Sequence, residues 1–260
     1  MGVRSGAGGR GVARELIDLR IRRQDTPEGR PRWEEFAIPH RPMMNVISCL
    51  MELQRHPVTL EGRPTTPVVW ESSCLEEVCG ACSMLINGRV RQACSALVDQ
   101  LPRPIVLEPM GKFPVIRDLI VDRSRMFEAL KRVKAWIPID GTSDHGPGPR
   151  LPERERAFAY ELSRCMTCGC CLEACPQVNP RSDFMGPFVI AMVRQFNTHP
   201  TGAMHKEARL DALMGEGGIA CCSNAQNCQE VCPKGVPLLQ AIGEMNRAVT
   251  LHALKQWLGA

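Results

Sequence analysis

The sequence predicts an α+β fold with a mixed N-terminal half and a helical C-terminal half. Up to about residue 107, short runs of alternating apolar and polar residues are typical of half-buried strands. Beyond that point, apolar residues recur at helical spacing. Cysteine runs with regular spacing interrupt both halves, which indicates that each half is built around metal.

The first predicted strand alternates apolar residues with charged ones, at Ile17, Leu19 and Ile21. We expect its arginines on a solvated face; they are Arg20, Arg22 and Arg23. Residues 33–38 are predicted to form the partner strand. A helix is predicted next, because Pro42 suits a first turn and the residues after it form an apolar face. That face consists of Met44, Ile47, Leu50 and Met51.

A hairpin is predicted around Asn87-Gly88, which joins residues 83–86 to residues 89–93 and favours a type I′ turn. Residues 68–70 are predicted as a short strand before it, and residues 105–107 as the strand that follows it. In the second half, helices are predicted at five places. They are residues 117–136, 153–163, 187–197, 207–214 and 237–258.

Residues 138–152 are rich in Gly and Pro and are predicted to be a loop, where composition alone places a domain boundary. Residues 1–13 are predicted to be a flexible tail. The tail contains Gly6-x-Gly8-x-x-Gly11, but a dinucleotide-binding motif needs a strand before it. We therefore predict no nucleotide site there.

Composition excludes several classes of protein. The hydrophobic fraction of 44% and the charged fraction of 23% are ordinary for a globular protein. The net charge of +4 is too small and too dispersed to predict a nucleic-acid partner. The sequence has no run of ~18 apolar residues and no secretory signal. Its 14 cysteines are therefore expected in a reducing compartment, where thiolates bind metal.

The first cysteine run, Cys74-x4-Cys79-x2-Cys82 followed by Cys94, has the spacing of a plant-type [2Fe–2S] site. Three thiolates would surround the cluster from one loop, and Cys94 would approach from the second strand of the hairpin. Gly80 lies inside the loop, where a positive φ would turn backbone N–H groups toward the sulfurs. A four-Cys zinc site or inert buried thiols are the alternatives, although zinc sites usually use paired Cys-x2-Cys.

The second run, Cys165-x2-Cys168-x2-Cys171-x3-Cys175-Pro, is of the bacterial type, whose fourth cysteine binds a second cluster. The last run has Cys222, Cys228 and Cys232-Pro, with Ala225 where a full repeat has its second cysteine. Exchange of the fourth cysteines assigns a [4Fe–4S] cluster to Cys165, Cys168, Cys171 and Cys232. The exchange leaves three ligands for the other cluster, which are Cys175, Cys222 and Cys228. Three ligands suit a [3Fe–4S] cluster with Ala225 at its empty corner.

A zinc site or a partly occupied site remains the alternative for these two runs. Three cysteines fall outside the spacing and are predicted to be buried free thiols: Cys49, Cys170 and Cys221. The histidines are scattered, and no nucleophile or acid–base constellation is evident. The pattern indicates a carrier of single electrons without catalytic residues of its own.

With these motifs the chain resembles the iron–sulfur subunit of succinate dehydrogenase/fumarate reductase, respiratory complex II. The resemblance covers about residues 14–258 and rests on four stretches. They are residues 73–94, 117–122, 165–176 and 228–235. It implies a β-grasp plant-type ferredoxin domain at residues 14–113 and an all-α, bacterial-type ferredoxin domain at residues 114–260. The boundary near Phe113 places residues 117–136 in the second domain.

The resemblance also implies the partners. Electrons would pass from an FAD-containing subunit through the [2Fe–2S], [4Fe–4S] and [3Fe–4S] clusters to quinone at a membrane-anchor cytochrome b. The chain would lie on the cytoplasmic face of a bacterial cell membrane, held by the anchor. It would carry neither the flavin nor the dicarboxylate site.

One departure bears on the quinone. Ubiquinone-reducing members of the family carry Trp shortly after the first Cys-Pro and His after the first cysteine of the last run. Here Pro176 is followed by Gln-Val-Asn-Pro, and Ser223 follows Cys222. The sequence is therefore closer to the menaquinone-linked bacterial type, and Pro176 and Ser223 are expected nearest the quinone. The alternatives are a subunit of another flavoprotein oxidoreductase, such as glycolate oxidase or a heterodisulfide reductase-like complex, and a zinc-stabilised binding module.

Overall fold

The computed structural model describes residues 15–137 and 150–259. The predicted tail, with its glycine motif, and nearly all of the predicted loop at residues 138–152 lie outside the described residues.

The N-terminal half is a five-stranded sheet with one helix. Its elements are β1 (Leu16–Arg23), β2 (Arg32–Pro39), α1 (Val46–Arg55), β3 (Ser83–Ile86), β4 (Arg89–Gln92) and β5 (Ile105–Glu108). The strand order is β2-β1-β5-β3-β4, and only β1 and β5 pair in parallel. The strands predicted at both ends of this half and the hairpin between them are confirmed. The inward residues of β1, Ile17, Leu19 and Ile21, share a core with α1.

The turn between β3 and β4 has the predicted backbone, since Asn87 and Gly88 have φ of 50° and 75°. The start of α1 differs from the prediction. Asn45 caps the helix, and its Oδ1 accepts the Ser48 N–H at 2.9 Å, so the helix begins after Pro42. Met51, predicted on the apolar face, is exposed.

A second, two-stranded sheet corrects the predicted helix at residues 117–136. Strands β6 (Val115–Arg117) and β7 (Ile120–Val121) form a hairpin, and α2 covers only Ser124–Arg132. Asp118 lies in the hairpin turn with φ of 45° and is fully buried. Its carboxylate accepts the Arg23 Nε–H at 2.9 Å, and this long-range ion pair outweighs the local helical pattern.

The same ion pair corrects two further predictions. Arg23 is fully buried instead of solvated, and it also contacts Glu34 at 2.6 Å. Residues 68–70 do not form a strand, because the Val69 N–H donates to the Asp118 carboxylate at 2.9 Å and not to a neighbouring strand. A buried charge needs such partners, and Asp118 collects them from two segments, Arg23 with Gln24 and the segment that contains Val69.

The C-terminal half is helical, as predicted. It contains α3 (Glu153–Ser163), α4 (Cys170–Ala174), α5 (Pro187–Thr198), α6 (Lys206–Met214), α7 (Asn227–Glu230) and α8 (Leu238–Leu258). The four longer helices match their predicted bounds within one residue. The short helices α4 and α7 were not predicted, and both lie inside cysteine runs.

Two hydrophobic cores divide the described residues. One extends from Ile17 to Leu107 and includes Leu119, while Met110 and Phe113 already belong to the other, which contains the helices. We keep the domain boundary near Phe113 as a proposal that this change of core supports. None of the helices within residues 15–137 and 150–259 has the length and hydropathy needed to cross a bilayer.

Candidate iron–sulfur centres

The first cysteine loop is built to hold a thiolate at Cys74. The N–H groups of Glu76 and Val78 point at its sulfur from 3.4 and 3.2 Å. Leu75 and Glu77 make this possible, because both have left-handed backbones with φ of 60° and 56°. These N–H donors, that of Glu76 first, lower the pKa of Cys74 to about 7.

The two inner cysteines of this site are brought together by the hairpin. Cys82 precedes β3 and Cys94 follows β4, so the paired strands place them side by side. Burial, with Cys94 as a neighbour, raises the pKa of Cys82 to about 12. Asn45, the cap of α1, also donates its amide to the Cys94 carbonyl at 2.9 Å. Two buried thiolates can persist here only if metal offsets their charge.

Gly80 has the predicted positive φ, 74°. The structure adds a second reason for glycine, which the sequence did not reveal. A Cβ at this position would lie 2.8 Å from the Cys168 Cβ and 2.9 Å from the Met166 carbonyl oxygen. The first cysteine loop therefore touches the second loop at Gly80.

The second group of cysteines lines a small cavity. All four predicted [4Fe–4S] ligands contribute to its wall: Cys165, Cys168, Cys171 and Cys232. Burial raises the pKa of Cys165 to about 11 and raises that of Cys171 strongly, and the neighbouring thiols add to both shifts. A cavity whose sulfurs repel one another as free thiolates fits a group that carries positive metal charge.

The third group lines a separate small cavity. Its wall includes the three cysteines predicted to share a [3Fe–4S] cluster, which are Cys175, Cys222 and Cys228. Ala225, Pro176 and Ser223 line the same cavity. Burial, and then the nearby Cys175 and Cys222, raise the pKa of Cys228 to about 11. Within the described residues, no group of three or more His, Cys, Asp or Glu side chains forms a site for a single metal ion.

Of the cysteines outside the spacing, Cys49 and Cys170 are buried as predicted, whereas Cys221 is only half-buried. Cys170 is also less isolated than a simple core thiol. It lies beside Cys168, and this contact lowers the pKa of Cys168 to about 7.

Several residues that support the cysteine loops were not found by sequence reasoning. Arg123 donates to the carbonyls of Gly80 and Ala81 at 2.8 and 2.6 Å. Lys112 donates its ammonium to the Cys175 carbonyl, and Glu173 accepts the backbone N–H of Lys112 at 3.0 Å. No spacing rule identifies Arg123 and Lys112, because each reaches its loop from a distant segment.

Comparison with known proteins agrees with this arrangement. A family model described as a 2Fe-2S iron-sulfur cluster binding domain matches residues 18–128, and a 4Fe-4S dicluster domain matches residues 161–236. The succinate dehydrogenase iron-sulfur subunit of Bacillus subtilis is 62% identical over 246 residues, which cover 95% of this chain and 97% of that protein. The chain belongs to the succinate dehydrogenase/fumarate reductase iron–sulfur subunits.

More distant relatives extend the family. The fumarate reductase iron-sulfur subunit of Mycobacterium tuberculosis is 34% identical over 89% of this chain and 91% of that protein. A chain of the Mycobacterium smegmatis Sdh1 complex in the apo form superimposes with a TM-score of 0.76 over 91% of this chain and 96% of that one. At 23% identity this last likeness shows the fold alone, and it confirms the predicted α+β architecture of a β-grasp ferredoxin domain followed by a helical one.

This iron–sulfur subunit is therefore the electron-transfer subunit of an oxidoreductase complex. Its cofactors are [2Fe–2S], [4Fe–4S] and [3Fe–4S] clusters, as predicted. Its partners in the complex are a flavoprotein and a membrane anchor. The alternatives of a zinc-stabilised module and of another flavoprotein system are set aside by the family assignment.

Proposed function

We propose that this subunit carries electrons from the flavoprotein through the [2Fe–2S], [4Fe–4S] and [3Fe–4S] clusters, in that order, to menaquinone at the anchor. The observation that carries the proposal is the serial contact of the three cysteine groups. Gly80 of the first loop lies against Cys168, and Cys171 of the second group lies near Cys228 of the third. The second group thus contacts both the first and the third.

We assign the ligands as the spacing predicts. The [2Fe–2S] cluster is held by Cys74, Cys79, Cys82 and Cys94; the [4Fe–4S] cluster by Cys165, Cys168, Cys171 and Cys232; the [3Fe–4S] cluster by Cys175, Cys222 and Cys228. The second and third sets are supported because the cysteines of each set line one cavity. When bound, the clusters accept and release single electrons, and the protein supplies thiolates, N–H donors and a fixed separation.

Exposure supports the two ends of this path. In the first loop, Val78 and Cys79 are exposed, while residues 223–227 of the last loop are exposed at the other end. The second group lies between them, with Cys171 almost fully buried. A carrier that takes electrons from one partner and gives them to another needs this pattern, and we assign the first loop to the flavoprotein and the last to the anchor.

The quinone is assigned from the last loop. Pro176 and Ser223 are both exposed and line the third cavity, so we place them nearest the quinone. The absence of Trp and His at the positions described above favours menaquinone. An anchor in the cell membrane would hold the chain at its cytoplasmic face, where thiols stay reduced. Assays of the purified complex with menaquinone and ubiquinone analogues test this, and faster reduction of the ubiquinone analogue would contradict it.

The ligand assignment is tested by Ala225→Cys. If Ala225 marks the vacant corner, a fourth thiolate there should allow a second [4Fe–4S] cluster after anaerobic reconstitution. The EPR signal of the oxidised [3Fe–4S] centre should then shrink. Ala220→Cys is the matched control, because Ala220 is exposed, close in sequence and absent from the cavity wall. An equal signal in the two variants would overturn the role of Ala225.

A further inference from the structure

Two buried polar side chains, Gln92 and Ser83, lie between the first and second cysteine loops. Their exposed fractions are 0% and 2%. A buried amide or hydroxyl is costly unless it is hydrogen-bonded. The Gln92 Oε1 lies 3.5 Å from the Cys82 sulfur, and its Nε2 lies 2.7 Å from the Ser83 hydroxyl. The amide therefore faces a cysteine that we assign to the [2Fe–2S] cluster.

The protonation of Cys82 decides which end of the amide faces it. As a thiol, Cys82 donates its S–H to the Gln92 Oε1. A ligating cysteine is a thiolate and can only accept, so an oxygen at 3.5 Å would repel it. The two ends of an amide have nearly the same shape. Rotation by half a turn places Nε2 on Cys82 and forms a charge-assisted N–H···S bond.

Ser83 satisfies the other end of the rotated amide. Its hydroxyl would lie 2.7 Å from the Gln92 oxygen and would donate to it. The same hydroxyl lies 3.0 Å from the Gly80 carbonyl and 2.9 Å from the Cys168 carbonyl. These two oxygens are its acceptors before the amide rotates, and its single proton turns to Gln92 afterwards. The Gly80 carbonyl retains Arg123 as a donor at 2.8 Å. Cys170 adds a sulfur contact at 3.5 Å to the amide end that faces Ser83.

We propose that Gln92 is a positioning residue that donates a hydrogen bond to the Cys82 thiolate and raises the reduction potential of the [2Fe–2S] cluster, while Ser83 holds its amide in that orientation. The inference rests on the proposed assignment of Cys82 as a ligand. Its physical basis is that an N–H donor stabilises the more negative, reduced cluster. Because the Gln92 amide lies 3.5 Å from the Cys82 sulfur and 3.5 Å from the Cys170 sulfur, the tuning residue lies where the two cysteine loops meet.

The test is an EPR-monitored redox titration of the [2Fe–2S] signal in the assembled complex. Gln92→Leu removes the donor at similar size. We expect the equilibrium constant for one-electron reduction to fall about tenfold, which is ~59 mV lower in potential. Gln100→Leu is the matched control, because Gln100 is exposed in the same half of the chain. A shift in Gln92→Leu no larger than that of the control would overturn the proposal.

Two further variants keep the test decisive if Gln92→Leu fails to assemble. Gln92→Met has a similar length but carries no donor, so it should also lower the potential; a raised potential would contradict the proposal. Ser83→Ala should lower it by a smaller amount. A purely structural role would reduce the amount of cluster without moving the potential of what remains.

Cys82→Ser separates this inference from the ligand assignment. A changed or lost [2Fe–2S] signal supports Cys82 as a ligand, whatever the Gln92 variants show. An unchanged signal would overturn the assignment and the inference with it. A changed signal combined with an unmoved potential in both Gln92 variants would overturn the role of Gln92 alone.

Discussion

The loop at residues 165–175 and the loop at residues 222–232 follow the same backbone path around their cavities. Each enters the left-handed region at the third and fifth residues from its first cysteine. These are Thr167 and Gly169, with φ of 52° and 85°, and Asn224 and Gln226, with φ of 57° and 68°. Each then enters a short helix, α4 or α7, at equivalent positions. The two loops are structural repeats.

The repeats differ at one proposed ligand position, where the loop at residues 165–175 has Cys168 and the loop at residues 222–232 has Ala225. They also differ in burial. An ideal Cβ on Gly169 would lie 3.3 Å from Phe113 and 3.4 Å from Met110, whereas Gln226 is exposed. The same left-handed turn thus uses glycine where neighbours are close and glutamine where solvent leaves room. Under the proposed ligand assignment, cluster type depends on a side chain and not on the backbone path.

The largest effect is expected from removing a proposed ligand of the last loop, in Cys228→Ser. Serine is a harder, poorer ligand for this soft-metal site. Since outer partners of metal ligands alone affect activity ~10–100-fold, quinone reduction should fall more than ~100-fold. The [3Fe–4S] EPR signal should be lost. Succinate oxidation with an artificial acceptor that takes electrons at the flavin should survive better.

Cys170→Ser is the matched control in the loop at residues 165–175. Cys170 is fully buried beside Cys171, and a serine hydroxyl there can still donate a hydrogen bond. Both activities should stay near those of the parent. Loss of a cluster in Cys170→Ser but not in Cys228→Ser would show that the ligand register of both loops is wrong.

A smaller effect tests the contact between the first cysteine loop, at residues 74–82, and the loop at residues 165–175. In Gly80→Ala, the new methyl group would meet the Cys168 Cα at 2.9 Å, and backbone cannot move aside cheaply. Together with the left-handed φ of 74°, this should cost about 2–4 kcal/mol. Gly88→Ala is the control, because φ is 75° but nothing lies within 4 Å; it should cost about 1 kcal/mol. Thermal unfolding of the complex measures both variants, and equal losses of stability would contradict the contact between the loops.

What the sequence predicted well was local. Alternation identified β1 and β2, Asn87-Gly88 identified the hairpin, and helical spacing identified the four longer helices. Spacing within a loop also predicted which cysteines line a common cavity in the helical half, while the ligand sets stay predictions. The short helices α4 and α7 were not predictable, since four or five residues show no periodicity.

What the sequence could not predict depended on distant partners. The pattern at residues 117–136 is helical, but its first residues form a hairpin because Asp118 pairs with Arg23, far away along the chain. Gln92 and Ser83 alternate like ordinary strand residues, and only the packing of the second loop against β3 and β4 gives them a chemical environment. In the first case a tertiary contact outweighed the local pattern, and in the second it gave two residues of a correctly predicted hairpin their chemical environment.

The smallest expected effect concerns the strain in the last loop. Glutamine in the left-handed region costs about 1–2 kcal/mol, and glycine avoids that cost but loses more entropy on folding. Gln226→Gly and Gln226→Ala both remove the exposed side chain, but only glycine relieves the backbone at φ of 68°. The glycine variant should therefore be more stable than the alanine variant by about 0.5–1 kcal/mol in thermal unfolding. Both should keep the [3Fe–4S] signal, since no thiolate is changed. Equal stability would mean that the last loop relaxes out of the left-handed turn, and Ala225 would then no longer be the counterpart of Cys168.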